Sequence, residues 1–485
     1  MVNAMWAFSI LAVMSVLPSS FSSQAVTLDN CHVKGIKEQV LCGAMSVPEN
    51  PQKPQGKQIS LNITVLPSFN AAQKKLPLLI LAGGPGQSAT EQTALINQVF
   101  AQVRQSRDIV LIDQRGTGKS NPLQCTNVEM EGLGLALDFA EQDMAAQAKE
   151  CLALFKDSDL STYSTNQAID DFEAVRKALG YRQFHLYGGS YGTRAGLVYL
   201  RRYPQSVASA VLDSVAPTQV AIGAFGKSSE RAFELLLADC HAIAQCKAAY
   251  PTLKADFLTL QATLNQVSTE QMIMHPVTGE QTPLLFERLK FLNTLRTALY
   301  SITLRTMVPL VVSEANKGNY RPFAGLYAAL NSGLGSGMYM GLTLTILCSE
   351  DWPRMSSALL RQDNDNYVVG DMTTQTWRKM CSVWPKYPVA ETFKTPVSSA
   401  VPTLLLSGRL DPVTPPAWGA MAAQTLSNSR HLVAVNGAHT VATHTCAARL
   451  IARFLDDGDL AALDDSCLTK ARQLPFMINP GSTNL

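Results

Sequence analysis

The sequence predicts an α/β fold in which a mostly parallel central sheet is flanked by helices. Continuous apolar runs recur along the chain and end in turn-rich stretches, as at residues 76–81 and 108–112. Such runs are typical of parallel strands that are buried on both faces. Stretches with helical spacing, such as Asn166 to Leu179, separate several runs and indicate crossover helices. Functional side chains are then expected beyond the carboxyl ends of the strands.

Composition and hydrophobic periodicity predict the domain organisation. The chain has 485 residues, of which 46% are hydrophobic and 16% charged, with a formal net charge of +2. This predicts a folded globular protein and gives no indication of nucleic-acid binding. Residues 218–396 break the alternation of strand and helix and are mostly helical by period. We therefore expect a largely helical lid at 218–396, inserted between two parts of a core at 26–217 and 397–485.

Residues 1–25 are predicted to be a secretory signal peptide. An apolar run at 6–17 ends at Pro18, and small residues follow at a suitable cleavage position, Ser23-Gln24-Ala25. The run is too short to cross a bilayer as a helix, so we expect no membrane span in the mature chain. Because no Lys or Arg precedes the run, a buried N-terminal helix is the alternative.

Ten cysteines favour export to the periplasm or the extracellular space. An even number at short separations suits disulfide bonds in an oxidising compartment. Zinc binding is the competing interpretation, but the sequence has no Cys-x-x-Cys motif, and we expect neither a metal nor a cofactor. Connectivity cannot be read from sequence, although neighbours along the chain would suit five bridges: Cys31 with Cys42, Cys125 with Cys151, Cys240 with Cys246, Cys348 with Cys381, and Cys446 with Cys467.

The most informative motif is the pentapeptide at residues 188–192, Gly-Gly-Ser-Tyr-Gly. It follows a strand-like run at 183–187 and leads directly into a helical stretch. Gly-x-Ser-x-Gly between a strand and a helix is the nucleophile elbow of an α/β-hydrolase. Glycines are needed because the serine takes a strained conformation and bulky neighbours would collide with the turn. Ser190 is therefore the predicted nucleophile.

A serine nucleophile needs a base, and a histidine held by a carboxylate is suited to this task. In this fold the acid and then the histidine follow the serine along the chain. Asp411 follows the apolar run at 402–408, and His439 follows the next run, so these are the predicted acid and base. Asp213, which also ends a strand, and His444 are the alternatives.

An oxyanion hole requires two backbone amides that point to the developing negative charge. Tyr191, the residue after the nucleophile, is predicted to supply one amide. The glycine-rich loop at residues 82–86 is predicted to supply the other from Gly84, with Gly83 as the alternative.

These motifs together resemble the proline iminopeptidase and tripeptidyl aminopeptidase family of α/β-hydrolases. That family carries His-Gly-Gly-Pro-Gly after its third strand, Asp-Gln-Arg-Gly-x-Gly-x-Ser after its fourth, and Gly-Gly-Ser-Tyr/Trp-Gly at the elbow. The matching segments here are 82–86, 113–120 and 188–192, with Ala82 in place of the usual histidine. The resemblance covers the mature chain and is weakest in the lid.

The resemblance implies a secreted serine exopeptidase that acts through an acyl-enzyme. It would remove single residues or tripeptides from peptides with a free amino terminus. In this family lid carboxylates hold the substrate ammonium, and the acidic stretch at 348–353 resembles that of the tripeptidyl branch. Glu350 is the implied anchor and Asp351 the second choice. A solvated acidic turn held by Cys348 is the alternative.

Three other functions are compatible with parts of the sequence. A carboxylesterase or acyl hydrolase could use the same triad. Residues 116–120 partly match a phosphate-binding loop, but Asp113 stands where that motif needs its first glycine, and Pro122 follows too early for a helix. A non-catalytic binding protein could share the scaffold, although all residue types of the triad are present.

Overall fold

A computed structural model describes residues 26–70, 72, 75–125, 134–334 and 337–479. The predicted signal peptide, residues 1–25, lies outside the described residues. A single large sheet runs through the core, and a separate hairpin lies in the lid. The strands are β1 (Leu28–Cys31), β2 (Val40–Pro48), β3 (Gln58–Leu66), β4 (Leu78–Leu81), β5 (Ile109–Ile112), β6 (Phe184–Gly189), β7 (Val207–Asp213), β8 (Thr269–Met274), β9 (Gln281–Phe286), β10 (Thr403–Gly408) and β11 (Ser429–Ala434).

The large sheet has the strand order β1-β2-β3-β5-β4-β6-β7-β10-β11. From β5 to β11 every neighbouring pair is parallel, whereas β1, β2, β3 and β5 pair in antiparallel fashion. The predicted α/β fold with a mostly parallel sheet is therefore confirmed. The parallel strands β4, β5, β6 and β10 are buried along their whole length, which suits their mostly apolar sequences.

Helices cover the sheet and build the lid. Those of the core are α1 (Thr93–Val99), α2 (Met144–Ala153), α3 (Thr165–Ala178), α4 (Tyr191–Arg202), α14 (Pro416–Ala423), α15 (Ala447–Asp457) and α16 (Ser466–Thr469). Those between β7 and β10 are α5 (Gly226–Ala242), α6 (Ala244–Ala249), α7 (Leu253–Leu264), α8 (Arg288–Ala298), α9 (Val308–Asn316), α10 (Arg321–Leu334), α11 (Met340–Ile346), α12 (Ser357–Asn364) and α13 (Met372–Val383).

A hydrophobic cluster lies in the predicted lid segment. Phe233, Phe257, Phe286, Phe291 and Phe323 are buried together at its centre. The antiparallel hairpin of β8 and β9 contributes to this cluster and was not predicted from the helical periodicity of the segment. Leu135 and Phe476, from outside the segment, belong to the same cluster, so the segment packs together with other parts of the chain.

Asp113 connects the loops that follow β4 and β5. Its carboxylate accepts hydrogen bonds from Ser88 Oγ at 2.7 Å, the Thr90 amide at 2.9 Å and Asn62 Nδ2 at 2.8 Å. Gly118 has a φ of +52°, and a Cβ atom there would lie 2.1 Å from the Asp113 carboxylate. The segment that partly matches a phosphate-binding loop is thus packed around an internal carboxylate, where a phosphate would be repelled.

A buried ion pair fixes α3 against the same loop. The Arg115 guanidinium donates to the Asp171 carboxylate through Nε at 2.7 Å and Nη2 at 2.8 Å, and both side chains are buried. The preceding residue of α3, Asp170, pairs with Arg202 at 2.6 Å, where both side chains are about one-third exposed. The two pairs differ mainly in their contact with water.

Five disulfide bonds join the ten cysteines as neighbours along the chain: Cys31–Cys42, Cys125–Cys151, Cys240–Cys246, Cys348–Cys381 and Cys446–Cys467. The Cys348–Cys381 bond ties a π-helical turn at Leu347–Asp351 to α13 within the lid. Within the described part of the chain, no helix is both long and apolar enough to cross a membrane.

The two arginine–aspartate pairs on α3 are predicted to differ in their contribution to stability. Arg115→Met leaves the Asp171 carboxylate buried without its partner, and we expect a loss of about 3–5 kcal/mol in the free energy of unfolding. Arg202→Met is the matched control and should cost less than about 1 kcal/mol. Urea denaturation followed by fluorescence measures both values. Equal losses would show that burial of the Arg115 pair has no energetic consequence.

Candidate active site

The Ser190 backbone has the strained conformation expected of a nucleophile elbow. Its φ is +54° and its ψ is −122°, at the junction of β6 and α4. A Cβ atom on Gly188 would lie 2.3 Å from the Gly192 carbonyl oxygen, and one on Gly192 would lie 2.1 Å from that of Leu81. The elbow therefore has no room for side chains at either glycine. This close packing imposes the turn that presents Ser190.

The glycine loop after β4 lies directly against the elbow. A Cβ atom on Gly83 would be 2.5 Å from the Gly189 carbonyl oxygen and 3.2 Å from the Ser190 Cβ atom. Gly84 has a φ of +78°, a conformation that favours glycine. Gly83, Gly84 and Tyr191 all line one cavity together with Ser190. The residues predicted to form the oxyanion hole thus meet around the predicted nucleophile.

Asp411 and His439 are hydrogen-bonded to each other. The His439 Nδ1 atom lies 2.8 Å from Asp411 Oδ2, and the carboxylate is fully buried. Asp411 also accepts from the amides of Val413 and Thr414, both at 2.9 Å, and from the Thr414 hydroxyl at 2.7 Å. Burial favours the neutral acid, but the adjacent imidazole and these donors outweigh it and hold the pKa of Asp411 below its usual range. The carboxylate therefore stays charged beside His439.

Ser190 and His439 share a cavity of about 750 Å³ between the sheet and the lid. Tyr300, which follows α8 in the lid, packs edge-on against the His439 ring with the ring centres 5.1 Å apart. The His439 amide also donates to the Tyr300 carbonyl oxygen at 3.3 Å. A lid residue thus fixes the loop and the ring of the predicted base. Tyr300 could not be predicted from the sequence, because no motif marks it.

The alternative acid and base have other contacts. The Asp213 carboxylate accepts from the amides of Val441 and Ala442, both at 2.9 Å, and from the Tyr187 hydroxyl at 3.0 Å. Asp213 therefore anchors the loop after His439, whereas Asp411 forms the hydrogen bond to the His439 imidazole. His444 accepts from the Ala438 amide at 3.2 Å, and burial lowers its pKa to about 4, which keeps it neutral.

The structure corrects the assignment of Glu350 as an ammonium anchor. Its side chain is 2% exposed and accepts from the Thr165 amide at 2.7 Å and the Thr165 hydroxyl at 2.6 Å. It lines a hollow beside Tyr387 and does not line the cavity that contains Ser190. Burial raises the pKa of Glu350 to about 7. The acidic sequence predicted a carboxylate at this position. It could not show that Thr165, at the start of α3, donates the hydrogen bonds that this carboxylate accepts.

The same correction applies to Asp351, the second choice. It is fully buried and its Oδ1 atom contacts Arg194 Nη1 at 2.6 Å, Arg354 Nη2 at 2.9 Å and the Ile222 amide at 2.8 Å. Arg194 lies on α4, four residues after Ser190. Asp351 therefore joins the lid to the helix that carries the nucleophile, and its charge is already paired.

The wall of the Ser190 cavity is mostly apolar. Among the described residues that line it there is no carboxylate, and the charged side chain there, apart from the ionisable His439, is Arg296. No group of three or more His, Cys, Asp or Glu side chains within the described ranges could hold a metal ion. The arrangement suits attack by a serine on an acyl group next to an apolar substrate surface.

Comparison with known proteins agrees with this geometry. The family described as alpha/beta hydrolase fold matches residues 77–442, about three-quarters of the chain. The chain belongs to the α/β-hydrolase fold family. The serine protease Hip1 of Mycobacterium tuberculosis is 26% identical over 443 residues, which cover 83% of this chain and 82% of that protein.

A further relative confirms the resemblance to aminopeptidases. The tripeptidyl aminopeptidase of Streptomyces lividans is 31% identical over 193 residues, which cover 37% of this chain and 36% of that protein. The crystal structure of proline iminopeptidase from Mycobacterium smegmatis is 17% identical with a TM-score of 0.39, and the match covers 86% of this chain and 99% of that chain.

Glu350 is predicted to make stability depend on pH. The pKa in the folded protein, about 7, lies above the ordinary 4.5, so the stabilising contribution is full below pH 4.5 and is lost as the pH rises through 7. Glu350→Gln should remove this dependence. Its free energy of unfolding relative to the wild type should rise by roughly 2–4 kcal/mol between pH 4.5 and pH 8.

Urea denaturation at a series of pH values measures this difference. Glu391→Gln, at a glutamate whose side chain is 85% exposed, is the matched control and should leave the pH profile unchanged. A Glu350→Gln profile parallel to that of the wild type would contradict the burial of a protonated Glu350.

Proposed function

We propose that this protein is an exported serine peptidase that removes residues from the amino terminus of peptides through an acyl-enzyme on Ser190. The observation that carries the proposal is the Asp411–His439 hydrogen bond beside a cavity that also contains Ser190. The relatives named as serine protease, tripeptidyl aminopeptidase and proline iminopeptidase support peptides as the substrate class.

The mechanism uses each group in a specific position. Because Asp411 binds His439 through Nδ1, the Nε2 atom is the one free to take the Ser190 proton. The Ser190 oxygen then attacks the substrate carbonyl carbon, and the amides of Tyr191 and Gly84 stabilise the resulting oxyanion. Ser190 stands at the N-terminus of α4, where the helix dipole also favours negative charge.

The reaction then proceeds through two proton transfers. His439 gives its proton to the leaving amine, so that the C–N bond breaks and Ser190 carries the acyl group. A water molecule, deprotonated by His439, hydrolyses this ester and regenerates the serine. Asp411 stays ionised throughout and stabilises the imidazolium, in keeping with its lowered pKa.

Removal of residues from the amino end is supported by the names of the relatives and by the size of the cavity. The cavity has a volume of about 750 Å³, which is the size of a site for one small ligand. A short amino-terminal segment would fill it, while a longer chain would extend beyond it. With Glu350 and Asp351 paired elsewhere, selection depends on the size of the cavity.

Export is proposed on two grounds. Residues 1–25 have the sequence of a signal peptide, and five disulfide bonds suit the periplasm or the extracellular space.

A carboxylesterase is the second candidate function. The observation that favours it is the mostly apolar cavity wall, which has no carboxylate among its described residues and would accept a neutral acyl group. The same Ser190, His439 and Asp411 would hydrolyse an ester by the same two steps.

Substitution of the predicted triad residues tests the chemical role of each side chain. Ser190→Ala should abolish labelling by a fluorophosphonate, and Asp411→Asn should lower kcat on the order of 10³-fold or more, because His439 loses its orientation and its charge partner. Asp213→Asn is the matched control at the neighbouring strand end and should lower kcat far less. An equal loss in Asp213→Asn would identify Asp213 as the acid of the triad.

The choice of substrate end can be tested with paired chromogenic peptides. Acetylation of the amino terminus should lower kcat/KM at least about tenfold, because the acetyl group enlarges the amino-terminal segment that the cavity has to hold. Steady-state kinetics with free peptides, acetylated peptides and simple acyl esters measures this preference. Equal rates for free and acetylated peptides would contradict the exopeptidase assignment, and turnover of esters alone would favour the carboxylesterase.

A further inference from the structure

We propose that Arg296 binds a carboxylate on the leaving-group side of the substrate. The enzyme would then favour short peptides whose free carboxyl terminus lies within a few residues of the cleaved bond. The inference rests on the proposed peptidase function. It adds a residue that recognises the carboxyl-terminal end of the substrate.

Arg296 is held in the wall of the Ser190 cavity by aromatic side chains. It lies near the end of α8, and its Nη2 atom donates to the Tyr300 hydroxyl at 3.1 Å. The guanidinium carbon lies 5.5 Å from the ring centres of both Phe225 and Tyr300. These contacts fix the planar group while leaving most of its N–H donors available.

No anion within the described chain neutralises Arg296. It forms no ion pair with a described carboxylate, and its Nε atom is buried without a hydrogen-bond partner. The residue is partly buried, and a buried donor without a partner carries a free-energy cost that a bound anion would relieve. The guanidinium fork matches a carboxylate in two-pronged geometry, which makes a carboxylate the ligand best suited to it.

A second hollow of about 410 Å³ continues from the cavity at the same place. Phe225, Arg296 and Trp377 line both spaces. The hollow adds two more cations, Arg288 and Lys379, against a single described carboxylate, Asp371, which already accepts a hydrogen bond from Gln375.

The Arg288 Nε atom is likewise buried without a partner. The extension is therefore positively charged along its described wall, and it would attract a negatively charged chain end.

The position of Arg296 assigns the carboxylate to the leaving group. His439 must deliver its proton to the leaving amine, so the leaving group lies next to the imidazole. Tyr300 packs against that imidazole, and Arg296 is bonded to the Tyr300 hydroxyl. A carboxylate that follows the leaving amine by a few bonds would thus reach the guanidinium.

The test measures binding in an inactive background, so that it does not depend on turnover. Calorimetry with Ser190→Ala protein compares a tetrapeptide that has a free carboxyl terminus with its carboxamide. We expect the carboxylate to bind at least about tenfold more tightly, the scale of a charge-assisted hydrogen bond. Adding Arg296→Gln should reduce this ratio to within about twofold, and Arg296→Lys should keep part of it.

Arg321→Gln is the matched control, because Arg321 is an exposed arginine of the lid that does not line the cavity. It should leave the ratio unchanged. A ratio near one in the Ser190→Ala protein, or a preference that survives Arg296→Gln, would overturn the assignment of Arg296. An equal loss of affinity for both peptides in Arg296→Gln would show a purely structural contact with Tyr300 and would also overturn it.

Turnover by the unsubstituted enzyme is measured separately with the same two peptides. Cleavage of neither peptide would count against the peptidase function, while the binding ratio would still decide whether Arg296 recognises a carboxylate. Failure of the one claim is therefore distinguishable from failure of the other.

Discussion

The close contact between two backbone loops is the constraint on which the site depends. Ser190 keeps a φ of +54° because the elbow is wedged between the end of β4 and the start of α4, where only glycine fits at residues 188 and 192. The same contact brings Gly83 and Gly84 next to the serine. One packing requirement therefore strains the predicted nucleophile and places both predicted sources of oxyanion amides beside it.

The lid is part of the site and not simply a cover. Asp351 pairs with Arg194 on the helix of the nucleophile, Glu350 is bonded to Thr165 on α3, and Tyr300 packs against His439. These contacts explain why an acidic stretch that resembles a substrate anchor is buried. With the two carboxylates buried elsewhere, the side chains that face the cavity are mostly apolar, together with Arg296. Specificity is therefore expected to depend on α8 and the residues that follow it more than on the acidic turn.

The sequence predicted the parallel part of the sheet and the residues at its strand ends, because local motifs mark both. Asp411 and His439 each follow a strand and a glycine, and the structure joins them by a hydrogen bond. The partners of Glu350 and the position of Arg296 could not be predicted, since both depend on contacts between residues far apart in the chain. A charged residue in a helical lid has the same sequence signature whether it is paired internally or faces a substrate.

A crystal structure of the protein after reaction with a small fluorophosphonate tests the proposed triad most directly. We expect a covalent bond from the Ser190 oxygen to phosphorus, with a phosphoryl oxygen within about 3 Å of the amides of Tyr191 and Gly84. We also expect the His439 Nε2 atom within hydrogen-bond reach of the adduct. An adduct on another residue, or an imidazole of His439 turned away from Ser190, would contradict the proposed triad.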